Sequence, residues 1–397
     1  MTIAKQKHQH GKIVGARIAH LRPLLVIDSD IFAGTERHIL DLATALAIQG
    51  VRVSLACPNN CVLEKRARAV GIRVFSVPRK VFPVAIIMLI VHKILSSEVN
   101  IIHAHNGVSH IAAVIAISIA GKGKCVATQH FITPARQMRS GWKSWLSKRL
   151  HSWASARTAH LIAISNAVVE ACRRDQPRLD QPIDVIHNGI FPIGELARPA
   201  ADVRDQFSLL PEAPLVVAVA RLDAEKRLDI LIDAMLHVRM KFPQARCLIA
   251  GEGHSRKALV SLVNRLELAD AVTLVGYQND CASLIAACDV FVLPAECEPF
   301  GLVVLEAMML GKPVIVANSG GPKELIEHDR SGCLFKPNDS ISLAQQIVRL
   351  LGDRSLSSEL GRMAKMTCSN QFTADRMAAS TLEIYRTALR APRVGSD

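Results

Sequence analysis

A repeated order of short elements constrains this chain most. An apolar run gives way to a polar loop carrying glycine, then to a stretch with apolar residues at helical spacing, and the cycle begins again. Leu24-Leu25-Val26-Ile27 is the first candidate strand. A loop runs from Asp28 to Gly34, and a helix starts near Thr35 with Ile39, Leu40, Ala43 and Leu46 in register. Further strands are expected at Val51–Ala56, Ile101–His103, Lys124–Ala127, Leu161–Ile164 and Asp184–Ile186. The order is interrupted between Phe191 and Pro214, where Pro192, Pro199, Pro211 and Pro214 form the densest proline cluster. It then resumes with strands at Leu215–Ala220, Arg246–Ala250, Val272–Val275, Val290–Leu293 and Pro313–Val316. Strand followed by helix, repeated, specifies a parallel sheet with right-handed crossovers. Two such series in 397 residues specify two sheets, because one ordinary domain is shorter than this.

The expected fold class is therefore α/β, with two Rossmann-like doubly wound domains. A basic tail covers 1–20, the first domain 21–195 and the second 196–372; a last helix, Thr373–Leu389 within 373–397, packs back towards the first domain. Composition agrees. Half the residues are hydrophobic but only 4% are aromatic, so the cores are aliphatic, as suits strands covered on both faces. Val84–Val91 and Ile111–Ala120 look membrane-like but fall short of the ~20 residues a span needs, and are expected as buried helices. Met1 to Arg17 is basic and polar without the apolar core of a signal peptide. The ten cysteines are scattered; Cys57 and Cys61, and Cys281 and Cys288, have no partner pairs at zinc-site spacing. A reduced, cytoplasmic protein is the simplest account.

Ligands of doubly wound sheets bind in the loops beyond the carboxyl ends of the strands. After Val290–Leu293 come Glu298-Pro299-Phe300-Gly301 and then Leu302-Val303-Val304-Leu305-Glu306. Pro299 and Gly301 end the strand, and a helix should open near Gly301 or Leu302. Its first amides lack intrahelical partners and its dipole is positive there, so the site suits a diphosphate. Glu298 and Glu306 flank it, placed to accept hydrogen bonds from hydroxyls on ribose and on a sugar. A glutamate in a first helical turn is also a common dipole partner, so Glu306 alone would say little. Gly251 and Gly253 around Glu252 follow another strand, where glycine lets backbone come close to a ligand. In the first half, strand alternation puts His103 and His105 on one face with His105 nearer the end, and His130 ends the next strand.

These segments together resemble the glycosyltransferase family 4 enzymes of GT-B fold. Glu298 to Glu306 matches their Glu–seven residues–Glu motif, and Ala220-Arg221-Leu222-Asp223-Ala224-Glu225-Lys226 their Arg-Leu…Lys segment. Ala250-Gly251-Glu252-Gly253, Ile164-Ser165-Asn166-Ala167-Val168, His187-Asn188-Gly189 and Asn318-Ser319-Gly320-Gly321-Pro322-Lys323-Glu324 match further segments in order, from about Leu24 to Tyr385. The resemblance implies two domains facing across a cleft. It implies a retaining, metal-independent glycosyltransferase that uses a nucleotide-sugar such as a UDP- or GDP-sugar, with no cofactor and no metal ligands; no Asp-X-Asp element is expected at a strand end in the first half, in agreement with metal independence. His105, Arg221, Lys226 and Glu298 are implied as catalytic. Gly34, Gly251, Gly253, Tyr277, Phe300, Gly301, Leu302, Val303 and Glu306 are implied as donor-binding, with backbone at Gly276-Tyr277 meeting the base. Arg221 and Lys226 would clamp the diphosphate in place of a metal; their bland reading is ion pairing with Asp223 or Glu225. Where the family shows Gly-Gly, this chain has Ala33-Gly34, which weakens the case for Ala33 but not for Gly34.

The net charge of +13 and a pI of about 9.5 favour anionic partners. No zinc-finger spacing, RNP-like aromatic run or long basic arm points to nucleic acid. Residues 136–151 read RQMRSGWKSWLSKRLH, with Trp142, Trp145, Leu146 and Leu150 at helical spacing and Arg139, Lys143, Lys148 and Arg149 between them. A basic amphipathic helix with tryptophan suits an anionic membrane surface, and then a lipid-linked or cell-envelope glycan acceptor, as in polysaccharide or lipopolysaccharide biosynthesis, on the inner face of the cell membrane. The competing reading packs the tryptophan face into the first domain. At the level of function, the alternatives are a nucleotide-sugar epimerase or a phosphorylase of the same architecture, for which no pyridoxal-lysine motif is found, or a non-catalytic sugar-nucleotide-binding protein.

Overall fold

The computed structural model describes residues 20–132, 142–176 and 181–391. It divides into two compact units, Met1–Gly189 with Ala374–Asp397, and Ile190–Thr373.

The first unit runs β1 (Pro23–Val26), α1 (Gly34–Ile48), β2 (Ser54–Pro58), α2 (Val62–Ala69), β3 (Arg73–Val77), α3 (Phe82–Leu95), β4 (Ile101–Ala104), α4 (Gly107–Ala120), β5 (Lys124–Gln129), α5 (Trp142–Ala156), β6 (His160–Ala163), α6 (Asn166–Asp175) and β7 (Ile183–Val185). Its seven strands are parallel in the order β3-β2-β1-β4-β5-β6-β7. The order reverses direction between β1 and β4, which makes their adjacent carboxyl ends the place where loops diverge and leave a crevice. β1, β2 and β4 are buried along their whole length, as expected for aliphatic strands covered on both faces. Helix starts are fixed by side chains that take otherwise orphaned amides. Asn106 Oδ1 accepts the Ser109 N–H at 3.0 Å to open α4, and Ser165 Oγ accepts that of Val168 at 3.2 Å to open α6.

The second unit runs α7 (Ala200–Gln206), β8 (Leu215–Val219), α8 (Leu228–Lys241), β9 (Arg246–Ala250), α9 (Arg256–Arg265), β10 (Val272–Gly276), α10 (Cys281–Ala286), β11 (Val290–Leu293), α11 (Leu302–Met309), β12 (Val314–Ala317), β13 (Cys333–Phe335), α12 (Ser340–Gly352) and α13 (Arg354–Gln371). Its six parallel strands lie in the order β10-β9-β8-β11-β12-β13, and the reversal falls between β8 and β11. The same winding has thus been used twice. The proline-rich stretch belongs to this unit: within it Arg204 of α7 donates to Ala213 O at 2.9 Å and pairs with Asp289 at 3.0 Å. α14 (Ala374–Arg390) belongs with the first unit, where it packs on α1 and β5 and brings Tyr385 to the sheet.

Two strands escape the sequence reading. β3 is an edge strand with Arg73 and Ser76 exposed, and β13 has three residues. The strand expected at Val51–Ala56 begins only at Ser54, because Val53 N bonds back to Val51 O in a tight turn. Val84–Val91 and Ile111–Ala120 are helical, within α3 and α4, but they are not wholly buried. Val84, Met88 and Ile119 are each more than 60% exposed.

Candidate active site

Each unit gathers its polar residues in the loops after the two strands that flank its reversal. In the second unit these are the loops after β8 and β11. The β8 loop carries Arg221 and then a single 3-10 turn, Ala224–Lys226, after which Arg227 adopts a left-handed conformation at φ +49° and starts α8. The β11 loop carries Glu296, Glu298, Pro299 and Phe300 to Gly301, whose φ of +90° turns the chain into α11. Two ion pairs join the loops. Lys226 Nζ lies 2.6 Å from Glu298 Oε2, both side chains mostly buried, and Arg227 reaches Glu296 at 3.7 Å. Lys226 and Glu298, 72 residues apart, are therefore partners. An ammonium has three donors, so two of those on Lys226 stay available to an anion.

Arg221 behaves differently. It is 61% exposed and is held by Asp223 at 2.6 Å and Glu225 at 2.8 Å, the local pairing that the bland reading anticipates. Asp223 is held in its charged form, since hydrogen bonds from His254 and the nearby Arg221 outweigh the opposing effect of its partial burial. Glu306 lies one turn into α11, half-buried; burial first, then the nearby Glu306 and Asp280, push the Cys281 thiol up to about 11. Leu302 and Val303 occupy the first turn of α11, where their amides precede the first intrahelical bond. Phe300 is buried against Phe372 at 6.4 Å between ring centroids, so its side chain is part of the core and only its backbone faces the loop.

The glycines of this unit have a definite steric reason. A Cβ on Gly251, at φ +139°, would lie 1.9 Å from Ala220 O, and one on Gly253 would lie 2.5 Å from Leu222 O. They let the β9 loop press against the β8 loop, which it holds through Leu222 N to Glu252 O at 3.0 Å and Ser255 N to Leu222 O at 2.7 Å. Likewise a Cβ on Gly320 or Gly321 would strike Glu298 O or Pro299 O, and Gly321 N donates to Glu298 O at 2.8 Å. The segment 318–324 thus buttresses the loop that carries Glu298. Tyr277 is 65% exposed after Gly276, whose φ is +74°.

In the first unit Gly34 opens α1, and Glu36 accepts the Ala33 N–H at 2.9 Å to close the helix start. Asn106, after β4, donates to Asp28 O at 2.8 Å and ties the β1 and β4 loops together. Beside them lies a buried group of imidazoles. His103 has both ring nitrogens engaged, with Tyr385 Oη and Thr128 Oγ1 each at 2.7 Å, which marks it as structural. His105 Nδ1 meets His130 Nε2 at 3.1 Å, while His105 Nε2 is buried without a partner. Sequence reading missed His38 on α1, whose ring stands 4.8 Å from that of His130 and 5.4 Å from that of His105. Asn188 acts on His38 to favour its charged form, yet neither ring nitrogen makes a hydrogen bond of normal geometry. Burial pushes His38 down to about 4 and His103 to about 3, and burial with mutual repulsion holds His105 and His130 well below the usual histidine range. All four are neutral at physiological pH.

His38, His105 and His130 each bring a ligand nitrogen to within 4.8 Å of the others, the one such group among the described residues that could hold a metal ion. A second feature bears on metals. Asp28-Ser29-Asp30 directly follows β1, so an Asp-X-Asp element does stand at a strand end in the first half, contrary to the sequence expectation. Asp30 pairs with Arg79, and burial raises Asp28 above its ordinary value.

Two doubly wound units, each with its polar loops at the reversal of strand order, and an anion-ready helix start beside a buried lysine in the second, define a two-domain α/β enzyme. The chain belongs to glycosyltransferase family 4: residues 32–192 match the model of Glycosyltransferase Family 4, and 201–367 that of Glycosyl transferases group 1. It is 31% identical over 303 residues to a glycogen synthase of Mycobacterium tuberculosis, covering 74% of this chain and 70% of that one. It is 28% identical over 366 residues to the Escherichia coli UDP-Gal:alpha-D-GlcNAc-diphosphoundecaprenol alpha-1,3-galactosyltransferase, covering 88% and 91%. The structure of Anabaena HepE in complex with UDP and glucose superposes with a TM-score of 0.79 at 25% identity, covering 93% of this chain and 100% of that one. The protein is a glycosyltransferase.

Proposed function

We propose that the chain moves a sugar from a nucleotide-sugar, of the UDP or GDP kind, to a lipid-linked or cell-envelope glycan, with retention of anomeric configuration and without a metal. The observation that carries this reading is the Lys226–Glu298 pair beside the start of α11. Lys226, Arg221 and the amides of Leu302 and Val303 take up the charge that develops on the departing diphosphate. Glu298 fixes Lys226 and accepts from a sugar hydroxyl, while Glu306 accepts from ribose. Backbone at Gly276-Tyr277 meets the base, and His105, neutral through burial, serves the sugar. The E. coli relative acts on a diphosphoundecaprenol-linked sugar, and HepE binds UDP and glucose, which supports the same classes here. Attachment to the inner face of an anionic membrane fits such an acceptor. Of the stretch proposed for it, Arg136 and Arg139 and the side chains of Trp142 and Lys143 lie outside the described residues; Trp145, Leu146, Lys148, Arg149 and Leu150 are exposed on α5.

The test screens UDP-, GDP- and ADP-sugars for thermal stabilisation and for release of nucleoside diphosphate, then reads the anomeric configuration of the product by proton NMR. A retained anomer is expected. An inverted product would reject the mechanism, and binding without diphosphate release would reject catalysis.

A further inference from the structure

Between Lys65 and Val169 the chain carries fifteen Lys and Arg residues and a single acid, Glu98. That acid is already neutralised, by Lys93 at 2.8 Å and Arg73 at 3.1 Å. The net charge of the whole protein, +13, is therefore concentrated in about a quarter of its length. The same segment supplies α3, α4 and α5, which lie side by side, α4 between the other two, over one face of the first sheet. It also supplies half of the large apolar side chains exposed among the described residues.

The pattern on α3 is specific. Phe82, Ile86, Ile90 and Ile94 face the core, and the opposite side is apolar as well. Val84, Met88 and Leu95 are 64%, 68% and 56% exposed and fall four and seven residues apart, on one stripe of the helix. Ile119 at the end of α4 is 64% exposed. Cations border the stripe. Arg79 and Lys80 precede α3, the former paired with Asp30. Lys122 donates to Leu95 O at 3.3 Å, at the far end of the helix. Beyond α4, on α5, Arg149 stacks over the exposed Trp145 ring at 5.0 Å and extends the cationic surface of the layer. An apolar stripe left in water costs free energy unless something covers it. A second copy of this face would bring like charges together; an anionic lipid surface meets both the charge and the apolar stripe. α3 has 14 residues, and no described helix is long and apolar enough to cross a membrane, so the contact is interfacial.

We infer that the layer α3–α4–α5 is a membrane-docking face, with the Val84–Met88–Leu95 stripe of α3 entering the headgroup region of an anionic bilayer and Lys80, Lys122, Lys148 and Arg149 holding the phosphates around it. The inference rests on the proposed lipid-linked acceptor for its purpose, but not for its test. It places the main apolar insertion on α3, not on the tryptophan helix α5.

The experiment is sedimentation of the full chain with phosphatidylcholine vesicles, with and without phosphatidylglycerol, across a salt series. One variant carries Val84→Gln, Met88→Gln and Leu95→Gln; a second carries Lys80→Gln, Lys122→Gln, Lys148→Gln and Arg149→Gln. These positions are at the surface, and an unchanged urea transition checks folding. The native chain should prefer the anionic vesicles and keep a salt-resistant fraction bound. The apolar variant should lose that fraction and at least about tenfold in partitioning, while the cation variant should lose about 100-fold or more, since each lysine or arginine near such a surface contributes about fivefold. No preference for anionic vesicles, or native binding by the apolar variant, overturns the inference. So does a lipid-free dimer in sedimentation velocity that the apolar variant dissociates, since the occupant is then a second copy. Donor turnover with a water-soluble acceptor is measured in parallel and should be unchanged in both variants. If no form of the protein turns over donor, the proposed reaction fails, and the vesicle result still decides the face.

Discussion

Acidification should unfold the first unit before it harms the second, and the size of the effect follows from its buried imidazoles. In the fold His38 titrates at about 4 and His103 at about 3, both displaced by burial from an ordinary 6.5. The folded state thus holds fewer protons than the unfolded chain below pH 6.5. Stability from these groups is intact above 6.5 and falls as pH drops towards their folded values. At pH 5 each costs about 2 kcal/mol relative to pH 7.5, so the two cost about 4 kcal/mol together. His105 and His130 shift in the same direction and add to the loss. Total domain stabilities are only about 5–15 kcal/mol, so the effect is large. Asp41, raised by burial, works in the opposite sense, so a variant is the sharper test. All three tryptophans lie in α5, and intrinsic fluorescence therefore reports the first unit alone. The fluorescence midpoint in urea should fall by at least about 2 M between pH 7.5 and 5.0 for a slope of ~2 kcal/mol per molar, the part due to His38 and His103 alone. His38→Gln should recover about 1 M of that fall, its own share of ~2 kcal/mol. A midpoint independent of pH, or a His38→Gln chain with the native pH dependence, would refute the reasoning.

Four further outcomes are expected. Lys226→Ala should lower kcat/KM by about 10²–10³, as for loss of one transition-state donor, and more than Arg221→Ala does, because Arg221 is already shared with two carboxylates; the reverse ranking in steady-state assays would reassign the clamp. Glu306→Ala should weaken nucleoside diphosphate binding by about 1.5–3 kcal/mol in calorimetry, and unchanged affinity would remove its ribose role. Activity should survive excess chelator; loss restored by manganese or zinc would direct attention to Asp28 and Asp30 or to His38, His105 and His130. Gly251→Ala should destabilise the second unit by at least about 2 kcal/mol, seen by circular dichroism, while the tryptophan transition stays put.

Most strands of both sheets, and their parallel pairing, were legible because aliphatic parallel strands read as continuous apolar runs. The residues after β8 and β11 could then be placed in loops beyond the carboxyl ends of strands, while the reversal of order between those strands is visible only in the sheet itself. β3 and β13 were not legible: one is an edge strand that alternates with exposed Arg73 and Ser76, the other is three residues long. α3 misled for a different reason. A helix apolar on all sides has little periodicity, so sequence cannot tell a core-facing side from one left bare, and Val84 and Met88 were assigned to the interior. His38 stands among the core positions of α1, where a histidine gives no sign of its neighbours. Only the approach of β4 and β5 ends brings His105 and His130 to it.

The candidate site divides along the same line between what is local and what is not. Arg221 is tied to Asp223 and Glu225, two and four residues on, which spacing alone suggests. Lys226 is tied to Glu298 from the other side of the strand reversal, which only the sheet order reveals. The glycines have a steric cause inside the fold that residue type alone does not disclose. Gly251 and Gly253 suggest close backbone approach, and within the protein that approach is to Ala220 and Leu222. Those contacts bear on the chemistry through the loops they position. By letting the β9 loop lie on the β8 loop they fix where Arg221 and Lys226 begin, and Gly320 and Gly321 do the same for Glu298. Two loops positioned from outside, one by each glycine pair, can hold a buried ammonium against a carboxylate at 2.6 Å without help from a ligand. A diphosphate arriving at α11 would therefore meet a cation already in place, and the cost of ordering Lys226 would have been met in folding rather than in each turnover.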